Sequence, residues 1–484
     1  MTDLIERTFR RLDQALSGRL SRPGDDRYAA ATAIWVKSVG PKPRAVAHCR
    51  TAQDVQSAIR AARDCDLPLS VRGGGHDWAG RALCGGIVID LTAMNDVTLS
   101  PDYRAARISG GARASDVLAV TDPRGLAVVT GSCSSVGMTG LTLGGGYGSL
   151  TGCFGLALDN LLGAEVVLAD GRTVTASLNN EQELFWALRG GGGNFGVVTS
   201  MRHRTHYLPS VHSGMLLFPF AEARAVLEGC VDIMATAPEE LAIQLGLVGG
   251  PDGLPLVMVV PTWCGPPAQG EARLAPFLGL GTPVISTLVA TSYGISLEKF
   301  DPFFASGQRV FMATCWLPTL DGQAIDVFIR AMATAASPGC AIITHALAPP
   351  LAYRWRRPLS AFAAIMCWSR SSHPSPIGRS RVTSIGTGGG RKPRFGPLTG
   401  SRFRVDIRIC SPKTRWNARQ KATASMPAGS LGPSSTTIPT IFSTQPFRCR
   451  RVGVSWPLNR NTRHERGIRS RSSVACSICC LSCT

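Results

Sequence analysis

Apolar positions recur at helical spacing from Thr2 to Leu20, with Leu4, Phe9, Leu12 and Leu16 on one stripe. Ser21 to Asp26 reads as a turn, and Pro41 and Pro43 mark a second break. Thr51-Ala52-Gln53-Asp54 has the form of a capping box, followed by Val55, Ile59 and Ala62 on one helical face. Continuous apolar runs predict buried strands at Leu67–Val71, Gly86–Leu91, Ala105–Ser109 and Leu126–Thr130, with a helix from about Ser115. Glu165–Leu168 and Thr173–Ala176 flank Asp170-Gly171, a strong hairpin signal. A short helix over Glu181–Arg189 and a strand over Val197–Thr199 complete a mixed domain that runs to about Leu208.

From Val211 the pattern changes. Strand-like runs at Met215–Phe220, Leu241–Leu247, Leu256–Val260, Val310–Cys315 and Ala341–Ala346 alternate with helix-like stretches at Ala221–Thr236, Ala268–Phe277 and Gly322–Ala335. This predicts an antiparallel sheet with helices on one side, its strands far apart in sequence. After Tyr353 no period of 2 or 3.6 residues is sustained, large apolar residues are thin, and Arg, Ser, Pro and Thr dominate. Such a segment lacks the apolar area to offset chain ordering, so its composition predicts disorder. The fold class expected is therefore α+β, in three parts: residues 1–208 (core about 40–208), residues 209–350, and a basic tail over 351–484.

Charge sharpens that division. The net +19 of the 484 residues suggests a nucleic-acid binder until it is split. From Arg354 onward there are 24 Lys+Arg against two acids, Asp406 and Glu465. The chain before it holds 27 bases and 30 acids, a mildly acidic balance typical of a soluble enzyme. The tail would attract polyanions without specificity, since no nucleic-acid module is present. A jump in composition this abrupt is also what an altered reading frame produces. No secretory signal is evident and no apolar run reaches the ~18 residues that span a bilayer, which predicts a cytoplasmic location. Of sixteen cysteines, nine are scattered before the tail and seven lie in it, which does not resemble a disulfide framework. Cys476, Cys479, Cys480 and Cys483 have metal-like spacing but no histidine nearby and no periodic structure around them.

The chemistry concentrates in glycine runs. Arg72-Gly73-Gly74-Gly75-His76-Asp77 follows a predicted strand. Gly131-Ser132-Cys133-Ser134-Ser135-Val136-Gly137 and Gly144-Gly145-Gly146-Tyr147-Gly148 follow in turn, and Gly190 to Gly193 forms a further run. Backbone without Cβ atoms can approach a ligand closely, and successive exposed N–H groups suit phosphate oxygens. The G-x-G-x-x-G fingerprint is poorly matched and no Walker lysine exists, which argues against NAD on a Rossmann sheet and against NTP hydrolysis. Asp159-Asn160 reads as a loop-fixing pair.

Five motifs in order resemble the vanillyl-alcohol-oxidase/PCMH type of FAD-binding domain, and more closely its berberine-bridge-enzyme-like branch. They are Arg72–Asp77, Gly131-x-Cys133-x-x-Val136-Gly137, Gly144–Gly148, Gly155-Leu156-x-x-Asp159-Asn160, and Phe185–Arg189 running into Gly190. The resemblance is strong over Ala30–Leu208 and diffuse over Ser213–Ala346. It implies FAD, a second domain that walls the substrate site, and hydride transfer from a small organic substrate to flavin and on to O2. It also implies a covalent flavin link at His76, and some members of the family add a second at the position matching Cys133, so that one link or two are both open. Cofactor contacts are expected from Arg72, Gly73, Gly74, Gly75, Asp77, Gly131, Ser132, Val136, Gly137, Gly140, Gly144, Gly145, Gly146, Gly148 and Val198. The family's Gly-Gly-His before the second glycine run is here Thr139-Gly140-Leu141, and its C-terminal N-Y-x-R-L and Y-D-P-x-N-x-F stretches are absent. No catalytic residue can therefore be carried over. Two rival readings remain at this level: a flavin-binding but inactive homologue, and a basic nucleic-acid-associating protein.

Overall fold

The computed structural model describes residues 2–37, 41–317, 319–335, 337–346, 361–369, 402–408 and 451–457. The chain divides into two compact units, one of Met1–Trp368 with Pro427–Gln445 and Cys480–Thr484, the other of Ser369–Met426 with Pro446–Cys479. In the second unit, strand Arg402–Arg408 pairs antiparallel with Arg451–Pro457. Most of the stretch whose composition predicts disorder, including the four clustered cysteines, lies outside the described residues. Among the described residues, no helix is long and apolar enough to cross a membrane.

The first unit is built on three larger layers. A four-stranded sheet orders Leu20–Ser21, Ala45–His48, Ile87–Asp90 and Leu69–Arg72, the last three mutually parallel. Helices Thr2–Ala15 and Ala52–Asp64 cover it, burying Phe9, Leu12, Leu16, Val55, Ile59 and Ala62 against Ile87 and Ile89. The capping box forms as expected: Asp54 N donates to Thr51 Oγ1 at 3.1 Å and Thr51 N donates to Asp54 Oδ2 at 3.2 Å. The first helix turns its stripe by one residue, so that Ile5 is buried and Leu4 is 44% exposed.

A five-stranded antiparallel sheet follows, in the order Val97–Leu99, Ala105–Ser109, Val197–Arg204, Leu161–Val167, Thr173–Ser177. The Asp170-Gly171 hairpin pairs Val167 with Thr173. The strand expected over Leu126–Thr130 is reduced to Leu126–Ala127, because only these residues find a partner, in His206–Tyr207. The third layer is a nine-stranded sheet in which Pro255–Trp263 and Leu241–Gly249 are central and Cys340–Ala346 and Ala361–Ser369 lie beyond. Helices Ala223–Ala235 and Gly322–Ala333 pack on it through Val226, Leu227, Ile325 and Phe328. A short helix not expected from the sequence, Tyr293–Glu298, docks on Ala114–Thr121. Asp122 holds it there, accepting from the Ser292 hydroxyl at 2.6 Å and the Gly294 amide at 2.7 Å.

Candidate functional site

Strand Leu69–Arg72 runs parallel to Ile87–Asp90 with Arg72 beside Asp90. The Arg72 guanidinium is buried there, Nη1 lying 3.4 Å from Asp90 Oδ2 and Nη2 3.4 Å from the Ala33 carbonyl. Its Nε is buried without a partner among the described residues. Burial lowers the Arg72 pKa and the Asp90 charge opposes that. Burial raises the Asp90 pKa, but the His48 hydrogen bond, the Arg72 charge and the Thr92 donors outweigh it and hold the carboxyl low.

The loop leaving this strand is tied at both ends. Asp77 spends both carboxylate oxygens on backbone, accepting from Ala79 N at 2.9 Å and Ala82 N at 2.7 Å. Trp35 N donates to the Gly75 carbonyl at 2.8 Å. Among the described residues, the amides of Gly73 to Asp77 donate to no protein acceptor, which leaves a row of backbone donors for a ligand.

The second glycine segment crosses this loop. A Cβ on Gly74 would lie 2.5 Å from Gly137 Cα, and a Cβ on Gly137 would lie 2.5 Å from Gly74 N. Two chains can meet this closely only where both lack side chains. The third run then folds onto the second: a Cβ on Gly148 would lie 2.4 Å from the Thr130 carbonyl, and Gly146 has φ +76°. The loops at 72–77, 131–137 and 144–148 are thus linked through backbone contacts. Gly140 lies in the helix Met138–Leu143 that follows Gly137, and the neighbouring Thr139 hydroxyl is buried without a partner among the described residues. Val198 is buried in the five-stranded sheet opposite Val166.

His76 sits where these loops meet. Its Nε2 is 3.4 Å from Cys133 Sγ, and the Trp35 ring stacks on it at 4.5 Å between centroids and 12° between planes. Burial pushes its pKa down to about 4, so the imidazole is neutral at physiological pH and keeps a nucleophilic lone pair. The Cys133 segment is pinned by Asp301, which accepts from the Ser134 amide at 2.9 Å and from the Ser134 hydroxyl. Sequence reasoning missed Trp35 and Asp301. Neither carries a local signal; Trp35 is placed by its Nε1 donating to the Phe304 carbonyl at 2.7 Å, across 269 residues.

A cleft opens beside Gly148. One wall is Ser132, Gly148, Ser149 and Thr151; the other is Gln244 and His345 on the nine-stranded sheet, with Phe300 between. Gln244 Nε2 lies 3.2 Å from His345 Nε2, and the Tyr147 ring meets His345 edge-on at 4.7 Å. Burial pushes the His345 pKa down to about 4, so the amide donates to a neutral ring. Among the described residues, no group of three His, Cys, Asp or Glu is placed to hold a metal ion.

Residues 43–177 match the FAD-binding-domain family. This part of the chain is an FAD-binding domain. The chain is 36% identical over 285 residues to (R)-6-hydroxynicotine oxidase of Paenarthrobacter nicotinovorans, covering 58% of this chain and 62% of that protein. It is 28% identical over 388 residues to the FAD-linked oxidoreductase OXR1 of Pyricularia oryzae, covering 73% and 74%. The fold matches the crystal structure of 6-hydroxy-D-nicotine oxidase from Arthrobacter nicotinovorans with a TM-score of 0.67 at 28% identity, over 74% of this chain and 82% of that one. The relatedness to FAD-linked oxidoreductases expected from the five motifs therefore holds, as does the α+β fold built around an FAD-binding domain. The chain spans about three-fifths of the first of these relatives.

Proposed function

We propose that this chain is an FAD-dependent oxidase acting on a small organic substrate, with residues 1–208 holding the cofactor and residues 209–350 forming the wall over it. The observation that carries the reading is the crossing of Gly74 and Gly137 beneath a half-buried His76. That arrangement presents unmatched backbone donors next to a neutral imidazole and a thiol. The residues present fit an FAD: the amides of Gly73 to His76, which donate to no protein acceptor among the described residues, suit its pyrophosphate. His76 would carry the covalent link and Cys133, at hydrogen-bond distance from it, the second. Trp35 fixes the imidazole plane, and Asp301 fixes the segment bearing Cys133. Bound FAD supplies an acceptor for two electrons from an organic donor and returns them to O2. The cleft beside Gly148 is where the donor would sit, oriented by Gln244 and His345 and shielded from water by Phe300 and Val260.

The test is direct. Purified full-length protein is precipitated with acid, and the pellet is examined for flavin absorbance. A yellow pellet from the native chain and a colourless one from the double variant His76→Ala with Cys133→Ser supports the reading. Hydrogen peroxide release is then followed over panels of amines and alcohols. A colourless native protein that gains no flavin on incubation with FAD would refute the proposal.

A further inference from the structure

The crossing of the first two glycine loops carries a cation without a carboxylate partner. Arg113 stands immediately before the helix Ala114–Thr121, and its backbone bridges antiparallel to Gly137. Bonds on either side extend the bridge: Ala114 N donates to the Val136 carbonyl and Met138 N to the Ala112 carbonyl, each at 2.9 Å. The side chain reaches the first loop, where its Cγ would lie 3.4 Å from a Cβ on Gly74. Its stem therefore packs at the point where Gly74 meets Gly137.

Arg113 is half-buried, and its guanidinium forms no ion pair among the described residues. Asp116, three residues on, accepts from the Arg113 amide at 2.8 Å and not from the guanidinium. Asp90 is already shared between Arg72 and His48. A second donor aims at the same loop: Arg72 Nε, in a side chain that belongs to a residue 9% exposed, has no partner among the described residues and would lie 3.1 Å from a Cβ on Gly75. Burial is the first cause of the lowered pKa of both Arg72 and His76, and the Arg113 charge adds to each. The positive field of Arg113 thus acts on both ends of the loop whose amides donate to no protein acceptor.

We propose that Arg113 is the counter-charge for the FAD pyrophosphate, closing the cradle of backbone amides at Gly73 to Asp77. The inference rests on the FAD reading above. Backbone amides bring only partial charges, whereas the pyrophosphate of a dinucleotide carries two full negative ones. A guanidinium supplies both a full charge and paired donors that match phosphate oxygens. An acidic group on the substrate is the poorer partner, because Arg113 does not line the cleft beside Gly148. Packing alone would need only the stem. Arg113→Gln keeps the Cγ that touches Gly74 and removes the charged end, so the two roles can be separated.

The experiment uses the full-length chain carrying His76→Ala and Cys133→Ser, so that flavin binds reversibly. FAD and riboflavin, which has the ring but no phosphate, are titrated against this parent and followed by flavin fluorescence. Adding Arg113→Gln should weaken FAD binding at least about tenfold and leave riboflavin binding within about twofold of the parent. Arg113→Lys should recover part of the loss, since it restores the charge without the fork. Circular-dichroism spectra of the three proteins should superimpose. FAD affinity unchanged in Arg113→Gln would overturn this inference alone. Equal losses for FAD and riboflavin would also overturn it, because they would make Arg113 a prop for the loop. A parent that binds no FAD would overturn it together with the FAD reading.

Discussion

Gly74 and Gly137 meet backbone to backbone, with no room for a methyl group on either. Because the clash is with backbone atoms, no side-chain adjustment relieves it. Gly137→Ala should destabilise the chain by roughly 1–3 kcal/mol, the range for overpacking a fixed interior site. It should also separate the loops that present His76 and Cys133. Gly193→Ala is the control: nothing lies within 4 Å of a Cβ there and its φ is not positive. Thermal melts should show a clear drop for the first variant and a change within about 0.5 kcal/mol for the second. Flavin content per chain should fall only in Gly137→Ala.

The Trp35–His76 stack predicts a graded effect on flavin attachment. Trp35→Phe keeps an aromatic face against the imidazole but loses the hydrogen bond to Phe304. Trp35→Ala loses both. Acid-stable flavin should accumulate more slowly in Trp35→Phe than in the native chain, and slowest in Trp35→Ala. Cys133→Ser should keep acid-stable flavin through His76, since it removes only the thioether link. Equal rates in all three proteins would show that His76 needs no help from the tryptophan.

What the sequence displayed and what it hid divide along the range of the interactions involved. The Thr51/Asp54 capping box and the Asp170-Gly171 hairpin are closed by residues a few positions apart, so local chemistry specifies them. The glycine loops were visible for the same reason. The helix stripe at the N-terminus was displaced by one residue because its face is chosen by the sheet beneath, not by its own spacing; Ile5 fits that surface and Leu4 does not. Helix Tyr293–Glu298 gave no periodic signal over its six residues. Its reason for existing is the Tyr293 hydroxyl meeting Thr130 Oγ1 at 2.8 Å, 163 residues away, together with the Asp122 contacts. Within the candidate site, His76 and Cys133 were named from motif chemistry. Asp77 reads as equally polar but is occupied in closing its own loop, and Trp35 and Asp301 arrive from segments that carry no motif.

Acid should weaken the fold in a defined window. His203 is 0% exposed, its Nε2 lies 3.1 Å from Thr142 Oγ1, and its Nδ1 has no partner among the described residues. Burial pushes its pKa down to about 4. In the unfolded chain the ring titrates near 6.5, so between these values the unfolded state binds the extra proton. Stability is therefore complete above about pH 6.5 and is lost as the pH falls toward 4, by roughly 3 kcal/mol from this residue. His206 and His345, also pushed down to about 4 by burial, act in the same direction. Melting temperature measured across pH 4 to 7 should climb steeply with pH. His203→Gln should flatten the climb by about one proton's worth of slope, and an unchanged slope would exclude His203 as a contributor.

Asp90 is the anchor on which the first loop depends. Its carboxylate receives His48 Nδ1 at 3.1 Å, Arg72 Nη1 at 3.4 Å, Thr92 N at 3.1 Å and Thr92 Oγ1 at 2.9 Å. Removing it leaves the buried Arg72 guanidinium without its counter-charge, a defect that costs about 3–5 kcal/mol where one partner of a buried ion pair is deleted. Asp90→Ala should therefore unfold or strongly destabilise the chain, while Asp90→Asn keeps the hydrogen-bonding shape and loses only the charge. Arg72→Met with Asp90→Leu removes both charges together and should recover much of the stability lost in Asp90→Ala. If the double variant melts near the native temperature yet binds no flavin, the Arg72 Nε that faces Gly75 is needed for the ligand and not for the fold. If it binds flavin normally, Arg72 serves only to close the strand end against Asp90.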